Sequence, residues 1–326
     1  IFEREDEMGE IQSTPSMNDS INFSYPEEIN LNHLEDDKRK ELLHLLEKYK
    51  TVFSKKVQIA KVGEHKIRIN EAERKKPYIY RIPEALKPQV EKQIEELLDL
   101  GLIEESDAEI SHPIVCVMKK DGALRLCIDF RSLNAVTIPD DFPMENQTDL
   151  LFEIGKANVI STVDLLKGYW AIPLEKKSQD LASFKTHRGQ YRFKVMAFGL
   201  RNAAATFQRV MNQALVKYQD FARAYIDDIA IYSKSWDEHL VHIDIIFEKL
   251  LELGFSVNLK KCSFARTHIK YLGHIVGSGS HGADPDKVAA IQKLSRPQSK
   301  HLLKSFLGLC NYYRDYIPHY SEVVLP

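Results

Sequence analysis

Between Ala224 and Tyr232 the chain reads Ala-Tyr-Ile-Asp-Asp-Ile-Ala-Ile-Tyr, apolar or aromatic throughout except for two adjacent carboxylates at its middle. β-Branched and aromatic residues favour strands, so the segment reads as a short hairpin with Asp227 and Asp228 at its tip. Neighbouring anions at the end of such a hairpin repel each other unless a cation sits beside them. That points to a divalent metal; an ordinary tight turn is the other reading. Asp-Asp also occurs at 36–37 and 140–141, in polar surroundings where solvated surface or a turn is expected.

A third carboxylate, Asp164, ends the apolar strand Val159–Val163. There it is poorly placed for packing and well placed at a sheet edge. Two-metal phosphoryl transfer needs carboxylates from separate elements, holding ions roughly 3.5–4 Å apart. Mg²⁺ suits such a set because it takes oxygen ligands and keeps substrate phosphate in its shell. Strands His112–Met118 and Leu124–Phe130 flank Lys119-Lys120-Asp121-Gly122-Ala123, where Asp-Gly is a strong reversal cue. Lys119, Lys120 and Arg125 then converge near one tip, a plausible phosphate clamp; an exposed basic hairpin is the alternative. Asp129 and Arg131 share the face of Arg125 and offer a structural ion pair instead.

Elsewhere helical spacing predicts helices near 36–49, 85–100, 203–218 and 237–253, with Gly101 and Gly254 as stops. Strand-like stretches Phe255–Leu259 and Ile269–Val276 precede a Gly/Ser-rich break at Gly277–Gly282, and one helical segment is expected from Asp286 to about Tyr316. Helices alternating with antiparallel hairpins define an α+β class. Residues 1–30 are polar and acidic without period and read as a flexible linker, followed by a helical segment over 31–59. The net charge of −2 hides a division: residues 1–47 carry a net −9 and the remainder +7, which permits phosphate binding without demanding it. Apolar runs are too short to cross a bilayer, so no membrane partner is expected. No basic-then-apolar leader opens the chain and its first residue is Ile, so a piece of something longer is expected. Cys116, Cys127, Cys262 and Cys310 lack paired spacing and read as reduced thiols.

These pieces together resemble the reverse transcriptases. Tyr225-Ile226-Asp227-Asp228 is similar to their tyrosine-x-aspartate-aspartate box, and Ser161–Trp170 to their first catalytic motif. Arg125–Asn134 resembles the fingers. Phe198-Gly199-Leu200-Arg201-Asn202 with Ala205–Arg209 resembles the nucleotide-side loop and helix. Leu259–Cys262, Tyr271-Leu272-Gly273-His274 and Ser305–Leu309 continue in the family's order, over roughly residues 60–320. The pattern is similar to that of gypsy-type long-terminal-repeat retrotransposons.

The resemblance implies a right-hand polymerase with mainly fingers over 60–155, mainly palm over 156–276 and a truncated thumb over 277–326. It implies RNA-directed DNA synthesis from deoxynucleoside triphosphates on an RNA or DNA template–primer, with other Pol regions (protease, ribonuclease H, integrase) in the full polyprotein. Asp164, Asp227 and Asp228 would be the catalytic metal ligands for two Mg²⁺ ions, Mn²⁺ being a possible substitute. Lys119 or Lys120, with Arg125, would contact the triphosphate. Tyr169 would crowd the ribose 2′-position, Phe198 and Gly199 would lie beside the nucleotide, and Lys260 or Lys261 would assist the leaving pyrophosphate. Tyr225, Gln208, Tyr271, Leu272, Gly273 and His274 would face nucleic acid. The expected setting is a cytoplasmic virus-like particle, or the nucleus.

Ala171, Ala197 and Ala204 stand where the family mostly has Gln, Pro and Pro. These departures bear on rate or fidelity more than on the chemistry itself. They also keep a second reading alive, a catalytically weak or host-adopted nucleic-acid-binding relic, alongside a two-metal nuclease as a third. His239 and His242, three apart on a helix, are expected to be packed or solvated rather than zinc ligands. Tyr312, Tyr313 and Tyr316 are expected to pack, with stacking on nucleic acid as the alternative.

Overall fold

The protein was analysed as a computed structural model, which describes residues 29–53, 56–71, 77–78, 80–118 and 124–325, together with the backbone of 8–11. The elements run β1 (Met8–Ile11), α1 (Asp36–Lys48), α2 (Lys87–Asp99), β2 (Ile103–Glu105), β3 (His112–Met118), β4 (Leu124–Asp129), α3 (Arg131–Val136), α4 (Gln147–Gly155) and β5 (Val159–Asp164). Then follow α5 (Gly168–Ala171), α6 (Lys176–Gln179), β6 (Ser183–Lys185), β7 (Gln190–Phe193), α7 (Ala203–Leu215), β8 (Ala222–Tyr225), β9 (Asp228–Ser233) and α8 (Trp236–Leu253). The chain finishes with β10 (Ser263–Arg266), β11 (Ile269–Tyr271), β12 (His274–Gly277), β13 (Ser280–Ala283), α9 (Pro285–Gln292), α10 (Lys300–Tyr312) and α11 (Tyr320–Val324). The fold is α+β.

Three sheets organise it. A six-stranded sheet has the order β1-β4-β3-β6-β7-β2, a four-stranded sheet the order β10-β5-β9-β8, and a three-stranded sheet the order β11-β12-β13. All pairings are antiparallel except β3 with β6. The four-stranded sheet is covered on both faces, which explains why Ile229–Tyr232 of β9 is apolar without alternation. Along β9, Ile229 and Ile231 join the large core that contains Phe207 and Met211 of α7 and Ile243 and Phe247 of α8. Ala230 and Tyr232 point the other way, into a smaller core with Leu150 and Ile154 of α4 and Ile269, Tyr271 and Val276 of the three-stranded sheet.

Several boundaries differ from expectation, each for a local reason. β4 stops at Asp129, and Phe130 turns the chain into α3. The expected Gly277–Gly282 break is a hairpin: Ser278 and Gly279 have positive φ, and Ser280–Ala283 pairs back onto β12. The single C-terminal helix is two, because Pro297 lies between α9 and α10 and supplies no backbone N–H. Ser299 then caps the second helix by accepting from Leu302 N. The residue 1–30 linker lies outside the described residues except for β1, which pairs with β4, and residues 29–30. No described helix is long and apolar enough to cross a membrane.

Candidate active site

The β5–β9 register places Asp164 directly opposite Asp228, the last pair of the ladder, and the β8–β9 register places Tyr225 opposite the same Asp228. Ile226 and Asp227 are therefore the two turn residues, and Asp228 opens β9 rather than sharing the tip. By strand alternation Asp164 and Asp228 project from the face that carries the smaller core, at the end where that core stops. The sheet end is fixed by several bonds. Asn258 N donates to Asp164 O at 2.9 Å, and the buried Tyr271 hydroxyl donates to Asp228 O at 3.0 Å.

Burial pushes the Asp164 carboxyl above its ordinary range; Lys261, with Nζ 3.4 Å from Oδ2, opposes the rise and Asp227 adds to it. Asp228 is pushed up to about 6, again mainly by burial and then by repulsion from Asp227 and Asp164. Lys261 offsets only part of this, and both carboxyls stay above their ordinary range. Among the described residues no set of three acidic, histidine or cysteine side chains closes a metal cage by itself. An incomplete set of hard oxygen donors fits Mg²⁺, which completes its shell with water and substrate phosphate.

Beyond β5 the chain turns at Lys167, which has positive φ, into the single turn α5. There Tyr169 stacks on Phe198 (centroids 4.9 Å apart, 21° between planes) and leans on Phe207 at 5.3 Å. Gly168 permits that approach: a Cβ there would lie 2.7 Å from Phe207 Cζ. Gly199, at φ +84°, is held by Asn134, whose side-chain amide donates to Gly199 O at 2.7 Å and accepts from Arg201 N at 2.9 Å. This bridge is not visible in the sequence pattern, because an Asn after an Arg-Ser-Leu run equally suits a helix surface.

The remaining expected site residues fall into groups. Lys119 and Lys120 lie outside the described residues. Arg125 is half-buried on β4, and Lys260 is exposed just before Lys261. Tyr225 is half-buried, and Leu272 and Gly273, both with positive φ, form the β11–β12 turn. Three of the residues expected to face nucleic acid are buried. Gln208 is fully buried, its amide bonded to Ala224 O, Ile226 N and Asn212. Tyr271 is buried beneath Asp228, and His274 is buried among Tyr312, Tyr313 and Tyr316, bonded to Leu272 O at 2.8 Å.

Alternatives left open by the sequence also resolve. Arg131 forms a forked pair with Asp129, both bonds 2.9 Å. Asp140, expected to be solvated, accepts on both carboxylate oxygens from Arg209. His239 is fully buried between Ser161 and Ser233 (2.7 and 2.8 Å), and His242 shares Ser233 while stacking on Phe221. The four cysteines are free thiols. Ala171 and Ala197 are packed in the core.

A sheet bearing opposed carboxylates, an acidic turn and an aromatic floor one turn away is the palm of a right-hand polymerase. Residues 117–276 match the family described as reverse transcriptase (RNA-dependent DNA polymerase), and the chain carries that domain. It is 38% identical over 253 residues to the retrovirus-related Pol polyprotein from transposon 297 of Drosophila melanogaster, covering 76% of this chain and 24% of that protein. The gypsy Pol polyprotein of the same fly is 35% identical over 244 residues, covering 73% of this chain and 24% of that protein. The chain thus spans about a quarter of these relatives. Among solved structures, a foamy viral protease–reverse transcriptase in complex with double-stranded DNA superposes with a TM-score of 0.82 at 28% identity, over 91% of this chain and 52% of that one. The foamy viral enzyme in complex with an RNA/DNA hybrid gives 0.82 at 25% identity, over 96% and 43%.

Proposed function

We propose that this domain is the RNA-directed DNA polymerase of a gypsy-type retrotransposon Pol polyprotein, extending a primer 3′-hydroxyl with deoxynucleotides on an RNA or DNA template. The observation that carries this reading is the pairing of Asp164 with Asp228 across β5 and β9, beside the Asp227 turn. The foamy viral relatives with double-stranded DNA and with an RNA/DNA hybrid support a duplex partner. Fingers over 60–155, palm over 156–276 and thumb over 277–326 are the matching subdivision.

Asp164, Asp227 and Asp228 would hold two Mg²⁺ ions. When bound, these ions would acidify the 3′-hydroxyl and neutralise charge gathering on the α-phosphate and the departing pyrophosphate. The bond formed joins the 3′-oxygen to the α-phosphorus, and the bond broken is that from the α-phosphorus to the bridging oxygen. The chain supplies the alignment. Asp164 and Asp228 sit on separate strands of one ladder, so the carboxylates are spaced by the sheet rather than by flexible loops. Tyr169, braced on Phe198 and Phe207, gives the sugar a rigid wall. Lys261 stands beside Asp164, and its ammonium group would supply the proton for the departing pyrophosphate oxygen. Extension of oligo(dT) on poly(rA) with Mg²⁺ tests the proposal, and its absence in a folded wild-type protein would overturn it.

A further inference from the structure

We propose that Gln208 is a positioning residue for the carboxylate turn, acting as a one-residue strand on the open edge of β8. This rests on reading that turn as the metal-binding element. In the four-stranded sheet β8 is an edge, bonded to β9 on one side only. On its other side Gln208 Nε2 donates to Ala224 O at 2.8 Å, and Gln208 Oε1 accepts from Ile226 N at 2.7 Å. A carbonyl at one residue and an N–H two residues later is the pair of groups that a neighbouring parallel strand would engage. One side-chain amide satisfies both. Asn134 treats the Gly199–Arg201 loop the same way, so the two segments flanking the Tyr169 floor are each pinned by a primary amide.

The residue so held is strained. Ile226 has φ +56°, in the left-handed region, at a hairpin position that ordinarily takes glycine. A β-branched residue is a genuine outlier there, and such a conformation persists only where its surroundings over-determine it. Asp227 and Asp228 follow immediately, so a turn that relaxed toward negative φ would re-aim both carboxylates. Gln208 is buried in α7, between the core residues Phe207 and Met211, so its amide is delivered by the rigid helix that packs the sheet. A third bond, Nε2 to Asn212 Oδ1 at 2.8 Å, orients the amide itself.

The test compares Gln208→Met, Gln208→Glu and Gln208→Met/Ile226→Gly with wild type. It uses hydrogen exchange of the peptide spanning 224–228, Mn²⁺ affinity by electron paramagnetic resonance without nucleotide, and steady-state extension. The expected results for Gln208→Met are faster exchange at Ile226, Mn²⁺ binding weaker by about tenfold, and kcat lower by about a hundredfold. Affinity for primer–template should be unchanged. Glycine at 226 adopts positive φ without strain, so the double variant should recover about tenfold in kcat. The isosteric Gln208→Glu, which keeps the acceptor for Ile226 N and loses the donor to Ala224 O, covers the case in which the Met variant does not fold. Unchanged exchange and Mn²⁺ affinity, or a fall in melting temperature with kcat intact, would overturn the inference. Failure of the underlying functional reading looks different: wild type itself would neither bind Mn²⁺ at this turn nor extend a primer.

Discussion

Asp164 and Asp228 face each other as the terminal pair of the β5–β9 ladder, directly opposite, an arrangement in which two like charges ordinarily destabilise a sheet. Both carboxyls are pushed up by burial first and by their acidic neighbours after that. Replacing Asp228 with Asn should therefore abolish extension on poly(rA)–oligo(dT), with a loss of at least about a thousandfold. In EDTA it should also raise the melting temperature by a few degrees. Activity loss accompanied by lower stability would mean that the carboxylate is structural.

The same pair sets a pH dependence. The folded-state pKa of Asp228, about 6, exceeds the ordinary 3.8, so between these values the folded protein binds more protons than the unfolded chain. This group's contribution thus favours folding at low pH and is lost as pH rises through about 6. In chelator, wild type minus Asp228→Asn stability should fall across pH 4–6, and saturating Mg²⁺ should remove that slope. Denaturant titrations at stepped pH measure it.

His239 works in the opposite direction. Burial pushes its imidazole down to about 3, and its two ring nitrogens are bonded to Ser161 and Ser233. The folded state binds fewer protons than the unfolded chain between about 3 and 6.5, so stability from this group is present above 6.5 and lost as pH falls. His239→Gln should move the acid-unfolding midpoint to lower pH. His239→Ala should cost about 1–3 kcal/mol at pH 7, because two buried serine hydroxyls each lose one of their hydrogen bonds.

Gly168→Ala tests the aromatic floor. The added methyl meets the Phe207 ring, a rigid core side chain, at 2.7 Å. Overpacking of this kind costs about 1–3 kcal/mol. Displacement of Tyr169 from Phe198 should raise KM for deoxynucleotides more than it lowers primer–template affinity. An unaltered KM in the folded variant would show that α5 does not shape the nucleotide pocket.

The palm was legible in the sequence where a residue violated its surroundings. Asp164 after Val159–Val163, and Asp227-Asp228 within an apolar hairpin, are polar intrusions that packing alone does not explain. The burial of Gln208, Tyr271 and His274 is not legible there, for the converse reason. Amides, phenols and imidazoles serve nucleic acid and core equally well, and only the backbone carbonyl or N–H they meet decides between the two. Sequence does not show those partners, which arrive from β8, β9 and the β11–β12 turn. The split of α9 from α10 is legible at Pro297, although helical spacing continues on either side of it.

Helix α10 carries its own consequence. Tyr312 and Tyr313, at its end, donate to Leu272 O at 2.7 Å and Gly273 O at 3.1 Å, and those carbonyls belong to the turn whose preceding strand ends in Tyr271 beneath Asp228. Tyr312 and Tyr313 hold two neighbouring carbonyls of that turn side by side, and Tyr271 holds Asp228 from the strand before it. Three phenols thus tie the end of α10 to the carboxylate end of the sheet, so where that helix is anchored bears on where Asp228 sits.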